Sequence, residues 1–400
     1  MNRKILFVAH DTTMSGSLIS LGYLIRAFIE KKYEVFVQIP FSEQSRNYLT
    51  SLGANCIYPR FFKSRSIALS LHFTNTVDFY TSNGIKIFIY DLLKTIYGMI
   101  YAVQVYSKIK PDIVYVNEYV LLQYSIAAKL VGLPSVCHIR SPFLEPKYSF
   151  RRRLISTLIT KYNKCVIAIT EFESQQITRY SPSQNVHVIP EFLDDFNFRF
   201  YNERHYRLKY NIENEMKIIL FLGGIDKVKN TEEFLLACKV LFTKHNNIIV
   251  VLAGKEIRHG KENEDYYRRC QNIISHYENK CIRKMNELIN PIEILSISSL
   301  VVSISSRSHF SRPIIEAWAQ KKAVIASDTD HNRNLITNGV NGLLVPKYNI
   351  NELSRKIDSI INDDNYANLL GENGYKKALQ DYSAGQNEMK VIKLVEQAIN

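Results

Sequence analysis

The sequence predicts an α/β protein made of two doubly wound domains that face each other across a cleft. Three observations predict it. Short apolar runs alternate with stretches of helical periodicity along nearly the whole chain, the pattern of parallel sheets covered by helices. That alternation pauses once, near residues 180–200, and then restarts. Finally, 400 residues exceed what one core sustains, since single cores stop growing at roughly 250–300 residues.

In order, KILFVAH (4–10) is a buried strand and the polar DTTMSGS a loop, after which Leu21, Leu24, Ile25 and Phe28 form a helical stripe. EVFVQI (34–39) returns as a strand and closes a βαβ unit; further strands lie at DIVYVN (112–117), SVCHI (135–139) and CVIAIT (165–170). The pause, SPSQNVHVIPEFLDDFNF, sets turn and acidic residues around one short strand. The second series runs through KIILFLGG (217–224), a helix from Thr231, IIVVLAGK (248–255) and SLVVSIS (299–305). It continues with a helix from Pro313, AVIASD (323–328) and NGLLVP (341–346). Asn351 to Leu379 reads as helical, followed by a break at Tyr382-Ser383 and a last helix to Ile399. The implied division is 1–190, 191–382, and a terminal helix at 383–400 that packs back on the first domain. In sheets of this kind ligands bind beyond the carboxyl ends of the strands.

With 46% hydrophobic and 22% charged residues the chain can bury sizeable cores, which excludes a disordered or fibrous protein. The net charge of +13 suggests at first a nucleic-acid binder. Residues 1–190, however, hold 22 Lys and Arg against 11 Asp and Glu, a net of +11, whereas residues 191–400 hold 29 against 27, a net of +2. The excess belongs to one domain and fits a surface facing something acidic. The six cysteines show no CxxC spacing and read as reduced residues, three of them (Cys137, Cys165 and Cys238) in apolar runs. Asn2-Arg3-Lys4 precede only a short apolar run, Ile5 to Ala9, which is not a secretory leader. The nearest approach to a membrane span, Ile85 to Ile109, is interrupted by Lys86, Asp91, Lys94 and Lys108. A cytoplasmic protein, peripheral at the inner face of the membrane, is expected.

The most informative segment is SHFSRPIIEAWAQKKAVIASDTDHNRNLITNGVNGLLVP (308–346). Pro313 sits early in a helix, where its missing N–H costs nothing. The free N–H groups of that first turn suit a diphosphate. Glu316, one turn on, can accept two hydroxyl hydrogen bonds, as a ribose offers; taken alone it reads more readily as a partner of the helix dipole.

The whole segment resembles the nucleotide-sugar-binding region of the family 4 (group 1) glycosyltransferases of GT-B fold, which pair two Rossmann-like domains. Their Glu–seven residues–Glu pattern puts the second Glu on Glu316 and the first on Ser308, a departure. The resemblance implies that Glu316 holds the ribose, and that the position of Ser308 faces the transferred sugar. Phe310 and Ser311 stand where the family has Phe-Gly beside sugar and phosphates. LFLGGIDKVKNTEEFLLA resembles the family's phosphate-binding loop, with Gly223 on its glycine, Lys229 on its lysine, Asn230 on its second glycine and Gly224 where an arginine is usual. A departing nucleoside diphosphate develops negative charge that a fixed cation stabilises. Lys229 can supply that cation, and Lys227 or Arg312 could fill the arginine's place. In the first domain Gly16 lies on the family's glycine-rich loop and His138 on a histidine near the sugar. A lone strand-end histidine is otherwise more often structural. Arg140 beside it could reach an acceptor or a phosphate.

Arg60, Lys63 and Arg65 flank Phe61-Phe62, and Arg151-Arg152-Arg153 open an apolar helix. Basic residues beside aromatics suit an anionic membrane or single-stranded nucleic acid, and each cluster taken singly suits an ordinary solvated face. Asp328-Thr329-Asp330 mimics a DxD metal site but reads as a strand-to-helix connection, so no metal is expected. Asp194-Asp195 fits a turn.

The resemblance implies a retaining, metal-independent hexosyltransferase that needs no cofactor. The expected donor is a nucleoside-diphosphate sugar bound by Lys229, Arg312, Glu316 and the backbone near Gly223, Gly224 and Ile314. The expected acceptor is a glycan or lipid-linked glycan in cell-surface polysaccharide synthesis, with no nucleic acid as partner. Three alternatives stand beside it. Ser308 and Gly224 motivate a degenerate, nucleotide-binding partner subunit of another transferase. A sugar-nucleotide epimerase on the same fold ranks below, and a nucleic-acid binder rests on charge alone.

Overall fold

The computed structural model describes residues 2–11, 15–61, 65–66, 70–71, 82–143, 149–278, 281–285 and 291–400. Lys63 lies outside the described residues, as do the side chains of Arg60, Arg65 and Arg151. The chain divides into two compact units, Met1–Phe192 with Ala384–Asn400, and Leu193–Ser383.

The first unit is built on β1 (Lys4–Val8), α1 (Gly16–Glu30), β2 (Glu34–Gln38), α2 (Glu43–Ser51) and β3 (Asn55–Ile57). A small hairpin of β4 (Arg60–Phe61) and β5 (Arg65–Ser66) precedes α3 (Ser82–Ile109). Then follow β6 (Ile113–Val116), α4 (Leu122–Leu130), β7 (Ser135–Ile139), α5 (Ser149–Tyr162), β8 (Cys165–Ala168), α6 (Glu171–Thr178) and β9 (Val186–Val188). The strands run parallel in the order β3-β2-β1-β6-β7-β8-β9. Central strands are apolar throughout because helices cover both faces: all four residues of β6 and of β8 are buried. The order reverses direction between β1 and β6, so the loops after those two strands splay apart and leave a crevice.

The second unit repeats the plan. It holds α7 (Glu203–Lys209), β10 (Lys217–Phe221), α8 (Thr231–Phe242), β11 (Ile248–Ala253), α9 (Lys261–Tyr277) and β12 (Ile282–Met285). Next come α10 (Ile292–Ile297), β13 (Leu300–Ser303), α11 (Arg312–Ala319), β14 (Ala323–Ser327), α12 (Asp330–Leu335) and β15 (Leu343–Val345). The parallel order is β12-β11-β10-β13-β14-β15, with its reversal between β10 and β13. One face packs Phe221 and Phe234 as stacked rings 4.5 Å apart, and the other closes around Trp318.

The predicted helix over 351–379 is two helices, α13 (Ile350–Ile361) and α14 (Asp364–Asp381). Asp363 caps the second, its carboxylate accepting from the Tyr366 N–H at 2.9 Å, and that cap competes with continuation. Last is α15 (Ala384–Ile399), which packs against β6, β7 and β8 of the first unit.

Candidate functional site

In the second unit the loops after β10, β13 and β14 leave the carboxyl edge of the sheet together, and hydrogen bonds knit them. The carbonyl of Val228 accepts from the Ser306 N–H at 2.9 Å and from the hydroxyls of Ser305 and Ser306 at 3.0 and 3.1 Å. The Ser305 N–H donates to the Ser327 hydroxyl at 2.9 Å, tying β13 to β14. Asp226 accepts from the Val228 N–H at 2.8 Å and shapes the short turn that carries Lys229. Asn230 then takes the left-handed conformation, φ 51°, that starts α8. Asn tolerates this backbone better than other side chains, which is why it can stand at a glycine's position.

These contacts bring Lys229 onto His309, with Nζ 2.7 Å from Nε2. The imidazole Nδ1 lies 3.1 Å from the Arg307 carbonyl, so Nδ1 carries the proton and Nε2 accepts from the ammonium. Burial and the adjacent cation push His309 down to about 3, and burial lowers the Lys229 amine. Among the described residues Lys229 forms no ion pair: the ammonium rests on the neutral ring, and the Asp226 carboxylate acts on its charge only from beyond ion-pair distance.

Glu316 lies one turn into α11, buried, and accepts from the Arg312 Nε at 2.7 Å. Burial raises its carboxyl and Arg312 opposes that rise. Ser308 meets His331 at the start of α12: its hydroxyl lies 2.9 Å from Nδ1 and accepts from the His331 N–H at 3.3 Å. Phe310 turns to the core, its ring 6.1 Å from Tyr382, and the Ser311 hydroxyl lies 2.5 Å from that of Ser303.

Several expectations need correction. The Gly224 N–H donates to the Ala253 carbonyl at 2.9 Å and the Ile314 N–H to Ser311 at 3.1 Å, so neither is free for a diphosphate here. Gly224 has φ 61°, and a Cβ there would lie 2.0 Å from the Lys255 carbonyl oxygen, so no arginine fits on this backbone. Gly223 is also packed tightly: a Cβ would lie 2.2 Å from the Phe221 ring. Neither substitute for that arginine is idle, since Lys227 pairs with Glu262 and Arg312 with Glu316. Arg152, expected at a surface, is buried, its guanidinium 5.8 Å from the centre of the Tyr180 ring; Arg153 is exposed. Asp328 is held by Arg333 at 2.6 Å and Asp330 by the same guanidinium at 3.4 Å, so the apparent DxD pair is an ion-paired helix start. Among the described residues no group of three His, Cys, Asp or Glu side chains is arranged to hold a metal ion.

In the first unit His138 belongs to β7 itself and is buried, with Nδ1 2.6 Å from the Tyr115 hydroxyl. Its Nε2 has no hydrogen-bond partner among the described residues, and burial with nearby Arg140 keeps the ring neutral. Just past the strand ends, Arg140 donates Nε to Asn117 at 2.8 Å and ion-pairs with Glu191. Asn117 donates to the Ser17 hydroxyl at 3.1 Å, reaching the first turn of α1 beside Gly16. Glu118 accepts from the Tyr119 N–H at 3.0 Å and from the Ser141 hydroxyl at 2.8 Å, and burial pushes it up to about 8. Asn117, Glu118, Glu191, His309 and His331 were not anticipated. Asn117 and Glu118 follow a central strand directly, a signal that could have found them; Glu191 and the two histidines carried none.

Among the described residues no helix is long and apolar enough to cross a membrane. Two family descriptions match the chain, Glycosyltransferase Family 4 over residues 15–195 and Glycosyl transferases group 1 over residues 202–377. The capsular polysaccharide biosynthesis glycosyltransferase CapM of Staphylococcus aureus is 24% identical over 241 residues, 59% of this chain and 56% of that protein. An uncharacterized glycosyltransferase of Methanocaldococcus jannaschii is 25% identical over 336 residues, 80% of this chain and 88% of that one. Among solved structures, Anabaena HepE in complex with UDP and glucose superposes with a TM-score of 0.77 at 17% identity, covering 99% of this chain and 100% of HepE.

Proposed function

The chain belongs to the group 1 glycosyltransferases of GT-B fold, and we propose that it moves a hexosyl group, with retention and without a metal, from a nucleoside-diphosphate sugar to a hydroxyl. The acceptor is a glycan or lipid-linked glycan of cell-surface polysaccharide synthesis, presented at the inner face of the cytoplasmic membrane to the basic first unit. The CapM relationship supports the pathway class, and UDP in HepE makes UDP the first nucleotide to try.

The observation that carries the reading is Lys229. A half-buried ammonium resting on a neutral imidazole, at the sheet's topological switch, is a cation kept for an anion that arrives from outside. In the reaction the bond from the anomeric carbon to the diphosphate oxygen breaks while the acceptor oxygen bonds that carbon on the same face. The acceptor's proton passes to the departing diphosphate oxygen, and Lys229 stabilises the charge that remains. Glu316 accepts from the ribose hydroxyls, and the neutral His138 offers Nε2 to the sugar.

The test is a calorimetric titration with UDP, paired with a panel of nucleotide sugars assayed for transfer and hydrolysis. UDP binding that Lys229→Ala weakens, with turnover of at least one sugar, supports the proposal. Binding without turnover of any sugar favours the second reading, a nucleotide-binding partner subunit. Ser308 at a carboxylate's position and Glu316 engaged by Arg312 are the observations on its side.

A further inference from the structure

Helix α3 exposes an apolar stripe. Ile85, Ile89, Leu92, Leu93, Ile96 and Ile100 are each at least 50% exposed and recur at three- and four-residue spacing, so they share one face. At 1.5 Å per residue the stripe runs about 22 Å along the helix. Scattered exposed leucines are ordinary, but six in one line form a contiguous patch of the kind that marks an interaction surface.

The charges around the stripe say what covers it. Asp91, the one carboxylate on α3, is buried, while Lys86 is exposed. Lys94 turns inward, its ammonium 3.3 Å from the Ser70 carbonyl and 4.0 Å from Asp91, and leaves Tyr90 exposed beside it. Across residues 60–110 the sequence has seven Lys and Arg against two Asp. The exposed side of the helix is therefore an aliphatic stripe with Phe88 and Tyr90 at its edges, and the exposed charges of α3, Lys86 and Lys108, are both positive. Protein interfaces are depleted in lysine and anchored by aromatic or arginine hot spots, whereas this face is aliphatic at its centre. Aliphatic residues flanked by lysine and tyrosine are what a helix lying in a bilayer interface presents.

We propose that α3 lies flat in the headgroup region of an anionic membrane, with Leu93 and Ile96 at the centre of the buried stripe. This deepens the reading of a membrane-borne acceptor, and it explains mechanically how the first unit would meet one. The helix lies on the bilayer and does not span it. Binding joins two weak terms: burial of the aliphatic stripe, and attraction of the exposed Lys86 and Lys108 to anionic headgroups. Each alone would be marginal.

The experiment is flotation of the full chain with vesicles of phosphatidylcholine alone and of phosphatidylcholine with phosphatidylglycerol in equal parts. The variant Leu93→Gln/Ile96→Gln is compared with a control, Leu130→Gln/Leu208→Gln, altered at exposed leucines elsewhere. UDP affinity is measured for every protein. Expected is capture of wild type and control by the mixed vesicles, at least tenfold weaker capture of the α3 variant, and unchanged UDP affinity. Equal capture of the α3 variant would overturn the proposal. So would a wild-type dimer that the α3 variant dissociates while vesicles take up neither, since the stripe would then join two copies. A wild type that floats but does not bind UDP would count against the transferase reading and leave the membrane face standing.

Discussion

Lys229 fixes the protonation of His309: the ammonium donates to Nε2 across 2.7 Å while the ring's own proton stays on Nδ1 beside the Arg307 carbonyl. The pair gives the site a pH signature. His309 takes up a proton near 3 in the folded chain but near 6.5 when unfolded. Between those values the unfolded chain binds more protons, so stability rises with pH across the window and is lost as pH falls from 6.5 toward 3. The expected loss is on the order of 2–3 kcal/mol, less than the full shift implies because the ring is partly in contact with solvent. Urea melts at a series of pH values should show this slope in wild type and a flatter one in His309→Asn.

The lowered Lys229 amine acts at the opposite end of the scale. Its charge is lost at a lower pH than that of a free lysine, so UDP affinity should fall on the alkaline side before an ordinary lysine would titrate. A bound diphosphate favours the ammonium and moves this limb upward. Lys229→Ala should abolish the limb and lower kcat by roughly 100-fold. Titrations of UDP at rising pH, wild type against variant, check both statements.

Glu316 has a structural duty as well as its proposed substrate duty. Glu316→Leu would take from the buried Arg312 guanidinium the carboxylate that balances its charge and cost about 3 kcal/mol or more. Adding Arg312→Met removes the unbalanced charge and should recover most of that stability. UDP affinity, in contrast, should stay low in the double variant if the carboxylate holds the ribose. Recovery of both stability and affinity would mean that Glu316 serves only its arginine.

The two sheets were legible because parallel strands covered on both faces are apolar throughout, as in KIILF (β10) and IIVVLA (β11). Edge strands hide: β12 reads IRKM, and its Arg283 and Lys284 look like loop residues until they are seen bound to the Asn211 carbonyl and to Glu256. The same holds for the site. Lys229 and Glu316 stand in local patterns with a strand before and a helix after. Arg140, Asn117 and Glu191 meet from three segments up to 74 positions apart, and only the sheet order brings them together. Arg152 misleads for the converse reason, because successive residues of a helix leave it in different directions: Arg152 turns inward while Arg153 stays exposed.

Ser308 should matter for the sugar and not for the nucleotide. Its hydroxyl is committed to His331 and stands on the loop after β13, between the phosphate-side Lys229–His309 pair and α12. Ser308→Ala should leave UDP affinity within about twofold while lowering turnover of the intact donor by roughly tenfold, the worth of one hydrogen bond. Ser308→Glu would place a carboxylate against His331 and, with a hydroxyl-rich sugar, should change which donor is preferred. Relative kcat/KM values across a sugar panel read this out.

Gly224 shows why restoring the family residue should fail. An arginine there would seem to supply the missing second cation for the diphosphate. The backbone forbids it: φ is 61°, and any Cβ would sit 2.0 Å from the Lys255 carbonyl oxygen, which itself accepts from the Ile225 N–H at 2.8 Å. The clash is with main chain, so no side-chain rotation relieves it, and the left-handed conformation adds roughly 1–2 kcal/mol for any L-residue. Gly224→Ala already carries both penalties, so it should destabilise the second unit by at least about 2 kcal/mol. Gly224→Arg should be destabilised as much and should not bind UDP more tightly than wild type. Thermal melts and UDP titrations of the two variants side by side separate the backbone penalty, which they share, from any gain by charge, which only the arginine could supply.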